Sequence, residues 1–343
     1  METVKTNSIK AWLLAARPKT LAGAAVPVML GCALAAADGW FQIVPATLCF
    51  LFAFLMQIDA NFINDFFDYL KGSDREDRLG PERACAQGWI TLEAMKRGIA
   101  LTTMLACVVG ALLLFYSGAE MIPVGLLCIL FAFLYTAGPY PLAYHGWGDV
   151  LVIVFFGFVP VGCTYYVMCH DWTWNVTIAS VVCGMIIDTL LMVNNYRDRE
   201  QDALSGKKTL VVRWGAATGR MLYLFLGLAA AWLCLLFAVS GHIWAAILPQ
   251  IYILPHFLTW QRMVKINKGK VVPETLSLRF VWSLYVGIVG KHGCKVCVQN
   301  NILVACAGRY LFGIADDKRH AEWFLIHHSF IKESMFSQEV SLV

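Results

Sequence analysis

Over its first 265 residues the chain alternates long apolar runs with short polar breaks. Eight runs approach the ~20 residues that carry a helix across a hydrocarbon core. They are Leu21–Ala37, Ile43–Ile63, Gly98–Ser117, Met121–Ala137, Val150–Cys169, Val176–Val193, Met221–Ser240 and Ile243–Trp260. In lipid, backbone polar groups must be satisfied within a segment, which favours helices. The runs also lack the two-residue alternation of barrel strands. The first run leads into further runs rather than a soluble domain, so it reads as a span and not as a cleaved leader. The predicted fold is all-α: a polytopic membrane helix bundle with eight clear transmembrane helices.

A ninth crossing is irregular. Val281–Gly290 is apolar for too few residues to span, and Lys291, His292 and Lys295 then interrupt it. Residues 1–279 therefore form the expected membrane domain. Residues 280–343 read as a divergent or frame-shifted tail. The pair Cys294 and Cys297 lacks the second ligand pair that a zinc site needs.

Composition agrees with the pattern. Of 343 residues, 59% are hydrophobic and 15% charged, against about 25% charged in soluble domains. Mean hydropathy is +0.63. These values exclude a nucleic-acid-binding domain, a secreted disulfide scaffold and a disordered chain. Every Lys and Arg before residue 290 lies at the N-terminus or in the connections after the second, sixth and eighth runs. The positive-inside rule then predicts a multi-pass protein of the plasma (cell inner) membrane, with its N-terminus and these connections cytoplasmic.

Two of those connections begin with acid clusters. The first runs Asn61-Phe-Ile-Asn64-Asp65-Phe-Phe-Asp68 and continues through Lys71, Asp74 and Asp77. The second runs Asn194-Asn195-Tyr-Arg197-Asp198 and continues through Asp202 to Lys207. On helices, Asp65 and Asp68 share a face, as do Asp198 and Asp202. Carboxylates at membrane depth are costly and usually functional. Two facing pairs offer hard oxygen ligands for Mg2+, which takes few carboxylates and completes its shell with water or phosphate. Metal would bridge the acids to a diphosphate, and the interleaved bases would neutralise its remaining charge. Acid-rich helix ends over an apolar interior suggest a lipid diphosphate as substrate. Asp59 and Asp188 lie deeper in the second and sixth runs, where they face a cavity or are hydrogen-bonded to another helix.

These pieces resemble the UbiA-type intramembrane prenyltransferases, and within them the naphthoate-prenylating branch. The resemblance rests on Arg17-Pro-Lys-Thr-Leu21, Asn61 through Arg83, Tyr135 through Pro141 with Gly146-Trp-Gly148, and Asn194 through Leu210. It spans residues 11 to about 279. Asn64 and Asp68 fit the superfamily pattern, whereas Asp74 stands two residues late, as in the naphthoate branch. The resemblance implies nine helices around a central cavity. It also implies transfer of a polyprenyl group from its diphosphate to 1,4-dihydroxy-2-naphthoate, with loss of CO2, giving demethylmenaquinone. Expected partners are polyprenyl diphosphate, an aromatic acceptor and the bilayer, with no nucleic acid.

Asp65, Asp68, Asp198 and Asp202 are the expected Mg2+ ligands and catalytic acids. Tyr135 is the expected cation stabiliser or acceptor-positioning group. Arg17, Lys19, Arg83 and Lys207 are expected to contact diphosphate or the acceptor carboxylate. Asn61, Asn64 and Asn195 are expected to ligate metal or orient carboxylates. Two alternatives stand: another acceptor such as 4-hydroxybenzoate, or a cation-coupled transporter, which would show inverted repeats and broken mid-membrane helices.

Overall fold

The computed structural model describes residues 4–73, 80–265, 283–285 and 287–288. Among them there is no strand, and eight helices are long and apolar enough to cross a membrane. A surface helix α1 (Ile9–Ala16) precedes the spans. The spans are α2 (Pro18–Ala37), α3 (Ile43–Leu70), α4 (Leu92–Ser117), α5 (Ala119–Thr136), α6 (Gly148–Cys169), α7 (Trp174–Leu204), α8 (Leu210–Ala238) and α9 (Ile243–Lys265).

Enclosure differs sharply between helices. In the most apolar windows of α2 and α7, 72% of residues are buried, against 17% in α4 and 11% in α5. Thus α2 and α7 form the centre, and α4 and α5 turn Leu101, Met104, Phe115 and Leu126 outward, where lipid solvates them. The main core joins Leu30 and Leu34 of α2, Val161 and Tyr165 of α6, Val182 and Ile186 of α7, and Phe237 of α8.

The backbone approaches closest where α6 meets α7. A Cβ on Gly157 would stand 2.3 Å from the Ser180 carbonyl oxygen, and one on Gly184 2.8 Å from the Ile153 Cα. Small residues at such a crossing replace the hydrophobic drive that lipid removes. Along Ile153–Cys163, α6 widens to a π-helix around Pro160, whose missing N–H breaks the regular ladder.

Both acid-bearing helices continue well past their apolar runs. The expected second span ends at Ile63, but α3 runs on to Leu70. The expected sixth ends at Val193, but α7 runs on to Leu204. At 1.5 Å per residue, 31 residues exceed the hydrocarbon thickness, so the polar end of α7 projects from it. Asp65, Asp68, Asp198 and Asp202 are therefore on helices at one end of the bundle, and Asp74 and Asp77 lie outside the described residues.

Most of the anticipated tail lies outside the described residues, including Cys294 and Cys297. Its described fragment, Ser283–Tyr285 and Gly287–Ile288, is helical. Leu284 and Ile288 are fully buried in the main core, and Gly287 abuts the Ala245 backbone. The apolar run starting at Val281 is thus packed against the bundle at these positions, not detached from it.

Candidate active site

The site begins at a break in the helix. Arg17 has φ of +51° and Pro18 opens α2. Proline disfavours helical geometry in the residue before it, and a left-handed non-glycine residue costs of order 1–3 kcal/mol. This corner separates the surface helix from the first span and turns Arg17 into the interior. Asn61 fastens the same corner by donating to the Ala16 carbonyl at 3.0 Å and to Thr20 Oγ1 at 2.9 Å.

A cavity of 280 Å³ opens at the acid-bearing face. Its lining includes Arg17, Asn64, Asp68 and Arg83 from the α1–α4 half, and Asn195, Asp198, Asp202 and Lys207 from the α7–α8 half. Tyr135 at the end of α5 lines it as well. The structure therefore brings together both acid motifs, the tyrosine and three of the four expected cations.

Asp68 joins the two halves. It accepts from the Tyr144 hydroxyl at 2.9 Å and pairs with Arg83 and Lys207, each at 3.4 Å. Lys207 reaches it because α7 ends in a tight turn. The Lys207 N–H bonds the Asp202 carbonyl at 2.8 Å, and Gly206 supplies the φ of +77° that the turn requires. The next residue ties across the site, with the Lys208 N–H donating to the Tyr144 carbonyl at 2.8 Å.

On α7, Asp198 is held by Arg197 through two bonds of 2.7 and 2.8 Å. Asn64 accepts from the Thr136 hydroxyl. Lys71 donates to the Thr136 carbonyl and lies 4.6 Å from the Tyr144 ring centre. Burial lowers the Lys71 ammonium pKa from the ordinary lysine value, partly offset by Asp68.

Three expected site residues are placed elsewhere. Asp65 is fully buried and absent from the cavity lining. Its two carboxylate oxygens accept the Ala84 and Cys85 N–H groups at 2.9 and 3.0 Å, so it anchors the α3–α4 connection. The three-residue offset from Asp68 turns the two acids to different neighbours. Asn61 is occupied at the α1–α2 corner. Lys19 is exposed outside the cavity. The deep Asp59 is also internal: it accepts from Thr102 at 2.5 Å and Thr103 at 2.8 Å, both on α4.

Sequence reasoning missed Tyr144, Thr136, Asp149 and Gln201, of which all but Tyr144 line the cavity. Tyr144 lies inside the segment between Pro141 and Gly146 that carried the resemblance, but nothing local marks it as a partner of Asp68.

Among the described residues no three Asp, Glu, His or Cys side chains converge as a ready-made metal cluster. The donor set still fits Mg2+. Asp68, Asn64, Asp198 and Asp202 are hard oxygen donors on opposite walls, and Mg2+ is commonly held by one or two carboxylates plus substrate phosphate.

Residues 24–284 match the model of the UbiA prenyltransferase family. A 1,4-dihydroxy-2-naphthoate octaprenyltransferase of Haemophilus influenzae is 38% identical over 68% of this chain and 79% of its own length. One of Escherichia coli is 38% identical over 64% and 73%. A UbiA homolog from Archaeoglobus fulgidus, solved bound to GPP and Mg2+, superposes with a TM-score of 0.61 at 15% identity, covering 81% of this chain and 96% of that one. A digeranylgeranylglyceryl phosphate synthase gives 0.57 at 20% identity over 82% and 98%. The eight-span bundle, the paired acid motifs across one cavity and these matches together place the chain in the UbiA prenyltransferase family.

Proposed function

We propose that this protein transfers a polyprenyl group from polyprenyl diphosphate to 1,4-dihydroxy-2-naphthoate, releasing diphosphate and CO2 and giving the quinol form of demethylmenaquinone, which a separate oxidation converts to the quinone. The observation that carries this reading is the meeting of Asp68, Asp198 and Asp202 with Arg17, Arg83 and Lys207 around one cavity. The relatives named for the same acceptor support the choice of naphthoate.

Asp68, Asp198 and Asp202, with Asn64 and Asn195, would hold Mg2+. The metal supplies charge stabilisation on the departing diphosphate. Arg83 and Lys207, which pair with Asp68, would turn toward phosphate oxygens, with Arg17 from the same cavity lining. Preorganised charges of this kind act without reorganisation cost as the leaving group develops. Tyr135, which lines the same cavity, would stabilise the allylic cation through its ring. Asp65 and Asn61 shape the site by holding the connection and corner that deliver Arg83 and Arg17. The distribution of Lys and Arg supports a cytoplasmic motif face in a cell inner membrane.

The test is diphosphate release by the purified full chain. Release should require both the aromatic acceptor and Mg2+, stop with EDTA and return on adding Mg2+. Full activity in EDTA contradicts the metal assignment. Cation flux in proteoliposomes without prenyl transfer contradicts the enzymatic reading and favours a transporter.

A further inference from the structure

Membraneward of the acid motifs lie two carboxyl groups that the metal and diphosphate contacts leave unused. Asp149, the second residue of α6, lines the cavity, is 8% exposed and has a buried Oδ1 without a hydrogen-bond partner among the described residues. Asp188 on α7 is 2% exposed, and its Oδ1 likewise has no partner. The two groups act on each other electrostatically.

Three helices converge there. A Cβ on Gly148 would stand 3.4 Å from both the Tyr135 hydroxyl and Leu191 Cδ2, so the missing side chain admits α5 and α7 to the start of α6. Leu191 lies three residues beyond Asp188, on the same helix face. Tyr135, Asp149 and Leu191 thus share one wall of the cavity, and Asp188 is buried on α7 one turn from Leu191.

An unsatisfied buried oxygen costs roughly 1–3 kcal/mol. Such an oxygen persists where a ligand completes it. Nearby cations are engaged elsewhere: Lys207 with Asp68 and Arg197 with Asp198.

We propose that Asp149 is a catalytic base for the hydroxyl of the aromatic acceptor, and that Asp188, buried behind it on α7, is a positioning residue. This rests on the naphthoate reading above. As the acceptor O–H bond breaks, its proton passes to Asp149, and the oxygen electron pair flows into the ring. The carboxylated ring carbon bonds the allylic carbon while the allylic C–O bond breaks and diphosphate departs with that pair. The product of this step is a β-keto carboxylate. Its C–CO2 bond then breaks, CO2 leaves, the released pair restores the aromatic ring, and Asp149 returns the proton to oxygen. No external oxidant or net proton is needed.

The test uses the full chain with polyprenyl diphosphate, 1,4-dihydroxy-2-naphthoate and ring-substituted analogues whose hydroxyls are more acidic. D149N should lower kcat about 10²–10³-fold, leave KM for polyprenyl diphosphate within about twofold, and recover progressively as acceptor acidity rises. Asp149→Glu should recover part of the loss, and D188N should lose about tenfold with the same acidity dependence. Should D149N fail to fold, the D188N dependence decides. A D149N turnover equal to wild type, a deficit independent of acceptor acidity, or a loss confined to KM for the prenyl diphosphate overturns the proposal. Wild type that works on naphthoate while D149N is unchanged overturns this inference alone. Wild type that prenylates no aromatic acceptor overturns it together with the acceptor assignment.

Discussion

The two acid-bearing helix ends look alike in sequence and are used differently. At the end of α3 the acids are knitted into the protein. Asp65 is capped by two backbone N–H groups, and Asp68 is bound by a tyrosine and two cations from distant segments. At the end of α7, Asp198 is held by its own neighbour Arg197, while Asp202 contributes its carbonyl to the turn that carries Lys207. The α3 end assembles the site by reaching other chain segments, and the α7 end presents ligands from one long projecting helix. Similar spacing of carboxylates therefore does not imply the same work. The helix face decides which acid meets the cavity and which meets a loop.

The largest effects should come from acids that line the cavity. Asp198→Ala and Asp202→Ala should each lower kcat by about 10²–10³-fold with little change in unfolding temperature, and Asp68→Ala should lower kcat as much and also lower the unfolding temperature, because it strands Arg83 and Lys207. Equal, small losses in all three would erase the distinction between cavity acids and structural acids.

Asp65→Asn should act through folding. Losing the charge on two buried N–H bonds should cost roughly 2–3 kcal/mol, lower the melting temperature in detergent by several degrees, and raise KM for the prenyl diphosphate as Arg83 loses its support. An Asp65 variant that keeps its melting temperature but has no turnover would make Asp65 a direct ligand after all.

The smallest effect concerns Lys71. With its pKa lowered by burial, the unfolded chain binds more protons than the folded one between the two pKa values. Stability therefore rises with pH in that alkaline window, below the ordinary lysine value. K71M should flatten the slope measured by thermal unfolding across that window. An unchanged slope would mean that the Lys71 environment contributes nothing to it.

Much of this arrangement was readable in the chain. Eight apolar runs became eight spans, and the acid spacing correctly anticipated helices at both motif ends, because hydropathy and helical period are local properties. What could not be read was which neighbours a helix face meets. Asp65 finds its donors at Ala84 and Cys85, Asp68 finds Tyr144, and Asn61 finds Ala16. Each pairing spans between 15 and 80 residues of sequence and depends on how loops fold back over the bundle. Asp149 opens α6 just after a connection without Lys or Arg, where charge patterning gave no signal. The fragment around Leu284 and Ile288 also packs better than its short apolar run suggested, since a helix buried against protein needs no full bilayer span.

The most direct test of the central claim is the mass of the product. Purified full-length protein in detergent would be given Mg2+, a polyprenyl diphosphate and either 1,4-dihydroxy-2-naphthoate or 4-hydroxybenzoate. The account predicts a naphthoate-derived product that has gained one prenyl group and lost CO2, formed only with Mg2+, and no comparable product from 4-hydroxybenzoate. A prenylated 4-hydroxybenzoate that keeps its carboxylate, with the naphthoate untouched, would contradict it.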